Sequence, residues 1–121
     1  MKKVLVVEDS IFVAEAIKVL LSSHDISVEH LSDGSKVLDK VVSGKFDLVL
    51  LDLMMPMHSG TEAILILKKD ERTRNIPVII LTAKTDALKW DKELSVCDSF
   101  MTKSFNNRDL VSEVLRLLGK K

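Results

Sequence analysis

Short apolar runs alternate with longer stretches of helical period along the whole chain. The runs are Val4–Val7, Ile26–Leu31, Leu48–Leu51, Val78–Leu81 and a weaker one at Asp98–Met101. Between them, Ile11, Ala14, Ile17, Leu20 and Leu21 recur at helical spacing behind Ser10, which is placed to cap a helix N-terminus. Val37, Leu38, Val41 and Val42 repeat the pattern, with Gly44 placed to stop it. Ala63, Ile64 and Leu67 predict a third helix after Gly60. Ala87, Leu88 and Leu94 predict a fourth, and Leu110, Val111, Val114, Leu117 and Leu118 a fifth that ends before Gly119.

Five strands alternating with five helices predict an α/β domain spanning residues 1–121 as one unit. Three of the runs are apolar at every position, as strands are when helices cover both faces of a parallel sheet. Ile26–Leu31 instead mixes Ser27, Glu29 and His30 with its apolar residues, which places it at an edge. No internal repeat, low-complexity tract or linker interrupts this alternation.

In a parallel sheet the C-terminal strand ends share one edge, and ligands bind in the crevice there. Glu8 and Asp9 follow the first run, Asp52 the third, Thr82 the fourth and Lys103 the fifth. Taken singly, each reads as a turn residue, a helix cap or a solvated charge. Asp52 resists that reading, because Leu53, Met54 and Met55 follow it and no helix start there needs a cap. Together the five describe a chemistry. Three clustered carboxylates repel one another and call for a cation. Oxygen donors with no His or Cys beside them suit Mg²⁺ or Mn²⁺. A lysine and a hydroxyl can hold oxyanions, so the set points to phosphoryl transfer onto Asp52.

Composition narrows the alternatives without adding a new one. With 46% hydrophobic and 30% charged residues, disorder is not expected. Lys+Arg and Asp+Glu balance at 18 each, so no direct nucleic-acid binding is expected. The Val4–Val7 run is too short for a secretion signal, and no stretch approaches a membrane span, so the chain reads as cytoplasmic. Cys97 is the single cysteine, which excludes an intrachain disulfide and reads as a small buried residue. His24, His30 and His58 lack metal-ligand spacing and read as surface residues, with His58 in the loop beyond the active edge. Met54, Met55 and Met57 read as gap-fillers near Pro56, and Trp90 as a partly exposed residue of the fourth helix.

VLVVEDS, LVLLDLMMPMHSG, PVIILTAK and SFMTKSF, in this order and spacing, resemble the four motifs of response-regulator receiver domains of two-component signalling. The resemblance covers essentially the whole chain. It implies a flavodoxin-like (βα)5 three-layer sandwich with strand order 2-1-3-4-5. It makes Asp52 the phosphoacceptor, with Glu8, Asp9, Asp52 and the Met54 backbone carbonyl as ligands of the divalent ion. Thr82 becomes the switch hydroxyl, Ala83 keeps the phosphoryl entrance open, Lys103 contacts the phosphoryl group and Phe100 is the switch aromatic. Met54 and Lys84 fall at the family's two tuning positions, and an apolar Met54 is expected to shield the phosphoryl group from water. Implied partners are a sensor histidine kinase or phosphotransfer protein, and a downstream protein or effector domain. The latter binds the surface of the fourth helix, fifth strand and fifth helix. The chain is expected to be a monomer or a phosphorylation-promoted dimer, and either a stand-alone regulator or the receiver part of a longer protein.

One motif departs from the family. Lys103 is followed by Ser104 where the family usually has proline after a cis bond, which costs about 2.5–4 kcal/mol before any other residue. Either that bond is cis here, which Phe105 favours by keeping the motif's hydrophobic anchor, or the loop takes another route. Three rival functions fit less well. A receiver fold working without phosphorylation has only Ser104 in its favour. An aspartyl phosphohydrolase expects an acid at position 54, which is Met54, and a cap domain. A flavodoxin-like cofactor carrier expects a Ser/Thr/Gly-rich phosphate loop where Glu8 and Asp9 stand.

Overall fold

Val4–Val7, Leu48–Leu51 and Val78–Leu81 are all buried, and each forms the body of a central strand. In the computed structural model, which describes residues 2–32, 34–52, 60–82, 99–102 and 106–119, five parallel strands make one sheet. They are β1 (Lys2–Val7), β2 (Ile26–Leu31), β3 (Leu48–Asp52), β4 (Val78–Thr82) and β5 (Ser99–Thr102), ordered β2-β1-β3-β4-β5. The mixed strand β2 lies at an edge, where a sheet needs fewer apolar side chains. Four helices are described: α1 (Ile11–Ser22), α2 (Val37–Gly44), α3 (Gly60–Lys69) and a C-terminal helix (Asn107–Leu117). The predicted fourth helix lies outside the described residues.

Alternation along the strands splits the core in two. Leu5, Val7, Val49, Leu51, Val78 and Ile80 pack with Val37 and Val41 of α2 and Ala63, Ile64 and Leu67 of α3. Val4, Val6, Leu48, Leu50, Ile79 and Leu81 pack on the other face with Ala14, Ile17 and Leu21 of α1 and Leu110, Val111 and Val114 of the C-terminal helix. The result is three layers, helix–sheet–helix, built by a period of two in the strands and 3.6 in the helices.

The helix boundaries follow local chemistry, with two departures from expectation. Ser10 caps α1 as expected, its Oγ accepting from the Val13 N–H at 3.3 Å. Ile11, expected on the core face, is 65% exposed. It sits well round the helix from the Ala14–Ile17–Leu21 stripe, at the first residue of α1, where the sheet no longer covers it. Gly44 does not supply the left-handed residue that ends α2. Lys45 does, at φ 55, while Gly44 is the last helical residue. A side chain at Gly44 would collide with the buried Phe46 ring, so glycine is there for close packing. Gly119 does take positive φ, at 75°, just past the C-terminal helix.

Candidate functional site

Strand register alone brings the acids together. Val7 pairs with Leu51 and Asp52 with Leu81, so the next position on β1, Glu8, falls level with Asp52. Asp9 lies one residue further, in the turn that leads to the Ser10 cap. One carboxylate oxygen from each of Glu8, Asp9 and Asp52 can be chosen such that all three lie within 4.8 Å of one another. Glu8 and Asp52 are fully buried, whereas Asp9 is exposed, so the cluster opens to solvent on one side.

The turn that carries these acids is tied down atom by atom. The Glu8 N–H donates to the Leu31 carbonyl at 3.0 Å and extends the β1–β2 ladder by one residue. Glu8 Oε1 accepts from the Ser10 N–H at 3.1 Å. The Glu8 carbonyl lies 2.6 Å from His30 Nε2. His30 is therefore no simple surface residue: it is half-buried at the end of β2 and touches the site, while His24 is exposed as expected. Its alternation within an edge strand signalled placement, but nothing in one sequence signals a lateral bond to a neighbouring strand's main chain.

Thr82 ends β4 one position beyond Leu81, the partner of Asp52, and pairs with Thr102. Its backbone thus lies at the sheet edge that carries the acids. Phe100 pairs with Ile80, one row below Asp52 and two below Thr82. Met54, Ala83, Lys84 and Lys103 lie outside the described residues, as do His58, Trp90, Cys97 and the Lys103–Ser104 bond.

The donor set fits a hard divalent cation. Among the described residues it holds three carboxylates and no softer ligand, two of them buried where like charges cost most, and the exposed third leaves an approach for water and substrate oxygens. Among the described residues no helix is long and apolar enough to cross a membrane.

Comparison with known proteins agrees with this geometry. Residues 4–115 match the family described as response regulator receiver domain. The chain belongs to that family. It is 35% identical over 113 residues to the transcriptional regulatory protein DltR of Streptococcus agalactiae, covering 93% of this chain and 50% of that protein. It is 32% identical over 123 residues to the response regulator ArlR of Staphylococcus aureus, covering 99% of this chain and 54% of that one. The receiver thus spans about half the length of these curated relatives. Among solved structures it is similar to the response regulator TrrA of Thermotoga maritima in complex with Mg²⁺-BeF. The TM-score is 0.88, the identity 32%, and the match covers 97% of this chain and 99% of that one. As a family member the chain is a signalling receiver with the flavodoxin-like fold, and histidine kinases are the family's upstream partners.

Proposed function

We propose that residues 1–121 act as one receiver domain in which Asp52 accepts a phosphoryl group from a sensor histidine kinase or phosphotransfer protein. An Asp52 carboxylate oxygen attacks the phosphorus of the partner's phosphohistidine. The new O–P bond forms as the N–P bond breaks, and the imidazole nitrogen leaves with the bonding electron pair. Glu8, Asp9, Asp52 and the Met54 backbone carbonyl would hold Mg²⁺ or Mn²⁺. When bound, the ion would supply positive charge that offsets the charge of the carboxylates and of the phosphoryl group.

The remaining residues act around that centre. The Thr82 hydroxyl donates to a phosphoryl oxygen, and the Lys103 ammonium offsets its charge. Ala83 is small enough to leave the entrance open. The phosphoryl group adds about −1.5 to −2 charges at the edge, by analogy with other phosphorylated side chains. Thr82 and Phe100 then rearrange, and the surface of the fourth helix, β5 and the C-terminal helix changes its affinity for a downstream protein or a second copy. Met54 and Lys84 tune how long the phosphoryl group persists.

The observation that carries this reading is the convergence of Glu8, Asp9 and Asp52, with Asp52 buried at the end of the central strand. The test is intact mass after incubation with acetyl phosphate and Mg²⁺. A single phosphoryl adduct is expected on the wild type and none on Asp52→Asn or in EDTA. An adduct that persists in Asp52→Asn would sink the assignment, and Mg²⁺ binding without any adduct from kinase or small donor would leave a phosphate-independent module. Followed in time, the same adduct should decay faster in Met54→Asn if Met54 shields it.

A further inference from the structure

The Glu8 carbonyl belongs to the peptide that joins Glu8 to Asp9. The orientation of that peptide plane sets ψ of Glu8 and φ of Asp9, and with them the direction in which the Asp9 carboxylate leaves the main chain. Glu8 itself is anchored independently, by its N–H on Leu31 and by Oε1 on the Ser10 N–H. His30 Nε2, 2.6 Å from the Glu8 carbonyl, contacts the peptide plane directly. A carbonyl oxygen only accepts, so Nε2 carries the proton and donates.

We propose that His30 is a positioning residue for the acidic cluster: its Nε2–H holds the Glu8–Asp9 peptide so that the exposed Asp9 carboxylate stays within reach of Glu8 and Asp52. The proposal rests on the reading of that cluster as a divalent-metal site and deepens it. His30 is not one of the three clustered acids, and acts through the backbone of the turn that carries two of them. Partners that orient the groups around a metal typically change its affinity by about 10–100-fold when removed. Asp9 is one ligand of several and is approached indirectly, so the lower end of that range applies.

The test is calorimetric titration of the unphosphorylated chain with Mg²⁺ and with Mn²⁺. His30→Leu keeps apolar bulk but removes the donor, and its Mg²⁺ dissociation constant should rise about tenfold. His30→Gln places an amide N–H where Nε2 stood and should bind within about threefold of the wild type, well short of that tenfold loss. Leu31→Ala is the control for general loosening, because it trims packing at the neighbouring position while leaving the imidazole in place. Urea midpoints of all three variants confirm that each is folded during the titration.

Unchanged affinity in His30→Leu would overturn the proposal. So would an equal loss in His30→Gln, or a loss in Leu31→Ala as large as that in His30→Leu. Absence of divalent-ion binding by the wild type would remove both this proposal and the metal site. An adduct on Asp52→Asn would instead remove the phosphoacceptor assignment and leave the positioning role of His30 standing.

Discussion

Glu113, on the C-terminal helix, is held by Arg116 from the next turn of its own helix and by Ser99 from β5. The Arg116 guanidinium and then the Ser99 hydroxyl, at 2.6 Å, hold its carboxyl down from 4.5 to about 2. A depressed carboxylate pKa stabilises the fold above the ordinary value, and that contribution fades as pH falls from about 4.5 through about 2. Glu113→Gln should therefore cost on the order of 1 kcal/mol at pH 7, discounted because the side chain is 29% exposed. The gap to wild type should close at pH 2, as read from urea denaturation. An equal gap at both pH values would show that packing, not charge, sets the cost. Glu8 and Asp52 are legible in the sequence because each directly follows an apolar run, with Asp9 next along the chain, and a parallel sheet aligns such ends. The roles of His30 and Gly44 are not, because they depend on contacts across the fold: a bond to the Glu8 carbonyl and the Phe46 ring. Of the two partners of Glu113, Arg116 at i+3 is legible and Ser99 is not.

At the scale of elements, the apolar period places the described helices and all five strands, and the apolar side chain it misplaces, Ile11, lies on α1. Periodicity counts apolar residues without knowing where the sheet ends, so it assigns Ile11 to a core that does not reach it. Three of the four exposed large apolar residues among those described, Ile11, Phe12 and Val19, lie on this helix. Phe12 is 88% exposed in its first turn, beside the Glu8–Asp9 turn. A single exposed apolar residue is unremarkable, but several on one helix beside the candidate site make α1 the surface to test for a docking partner. On the proposed reading, a phosphohistidine reaches Asp52 only if its protein docks at this edge. Phe12→Ala should slow transfer from the cognate kinase severalfold, leave labelling by acetyl phosphate unchanged, and shift stability by no more than about 0.5 kcal/mol. Equal slowing with both donors would place Phe12 in the chemistry, and no slowing with either would remove α1 from the docking surface.

For the whole molecule, the buried acids set function against stability. Glu8 and Asp52 are both fully buried with their oxygens near those of Asp9, and like charges in a low-dielectric setting repel. On the proposed reading, an ion that binds the folded form and not the unfolded one offsets that cost. Mg²⁺ at a hundred times its dissociation constant should then add about 2.7 kcal/mol. In a domain of 121 residues this raises Tm by several degrees. Asp52→Asn removes one charge from the cluster and one ligand from the ion. Its Tm in EDTA should exceed that of the wild type, and most of the rise on adding Mg²⁺ should be gone. Paired thermal melts of the two proteins, with and without Mg²⁺, separate these effects. If the variant melts below the wild type in EDTA, the Asp52 carboxylate stabilises the fold through its own contacts, and repulsion is not the dominant cost. If Mg²⁺ raises both proteins equally, the ion sits elsewhere, and the three acids owe their proximity to register alone.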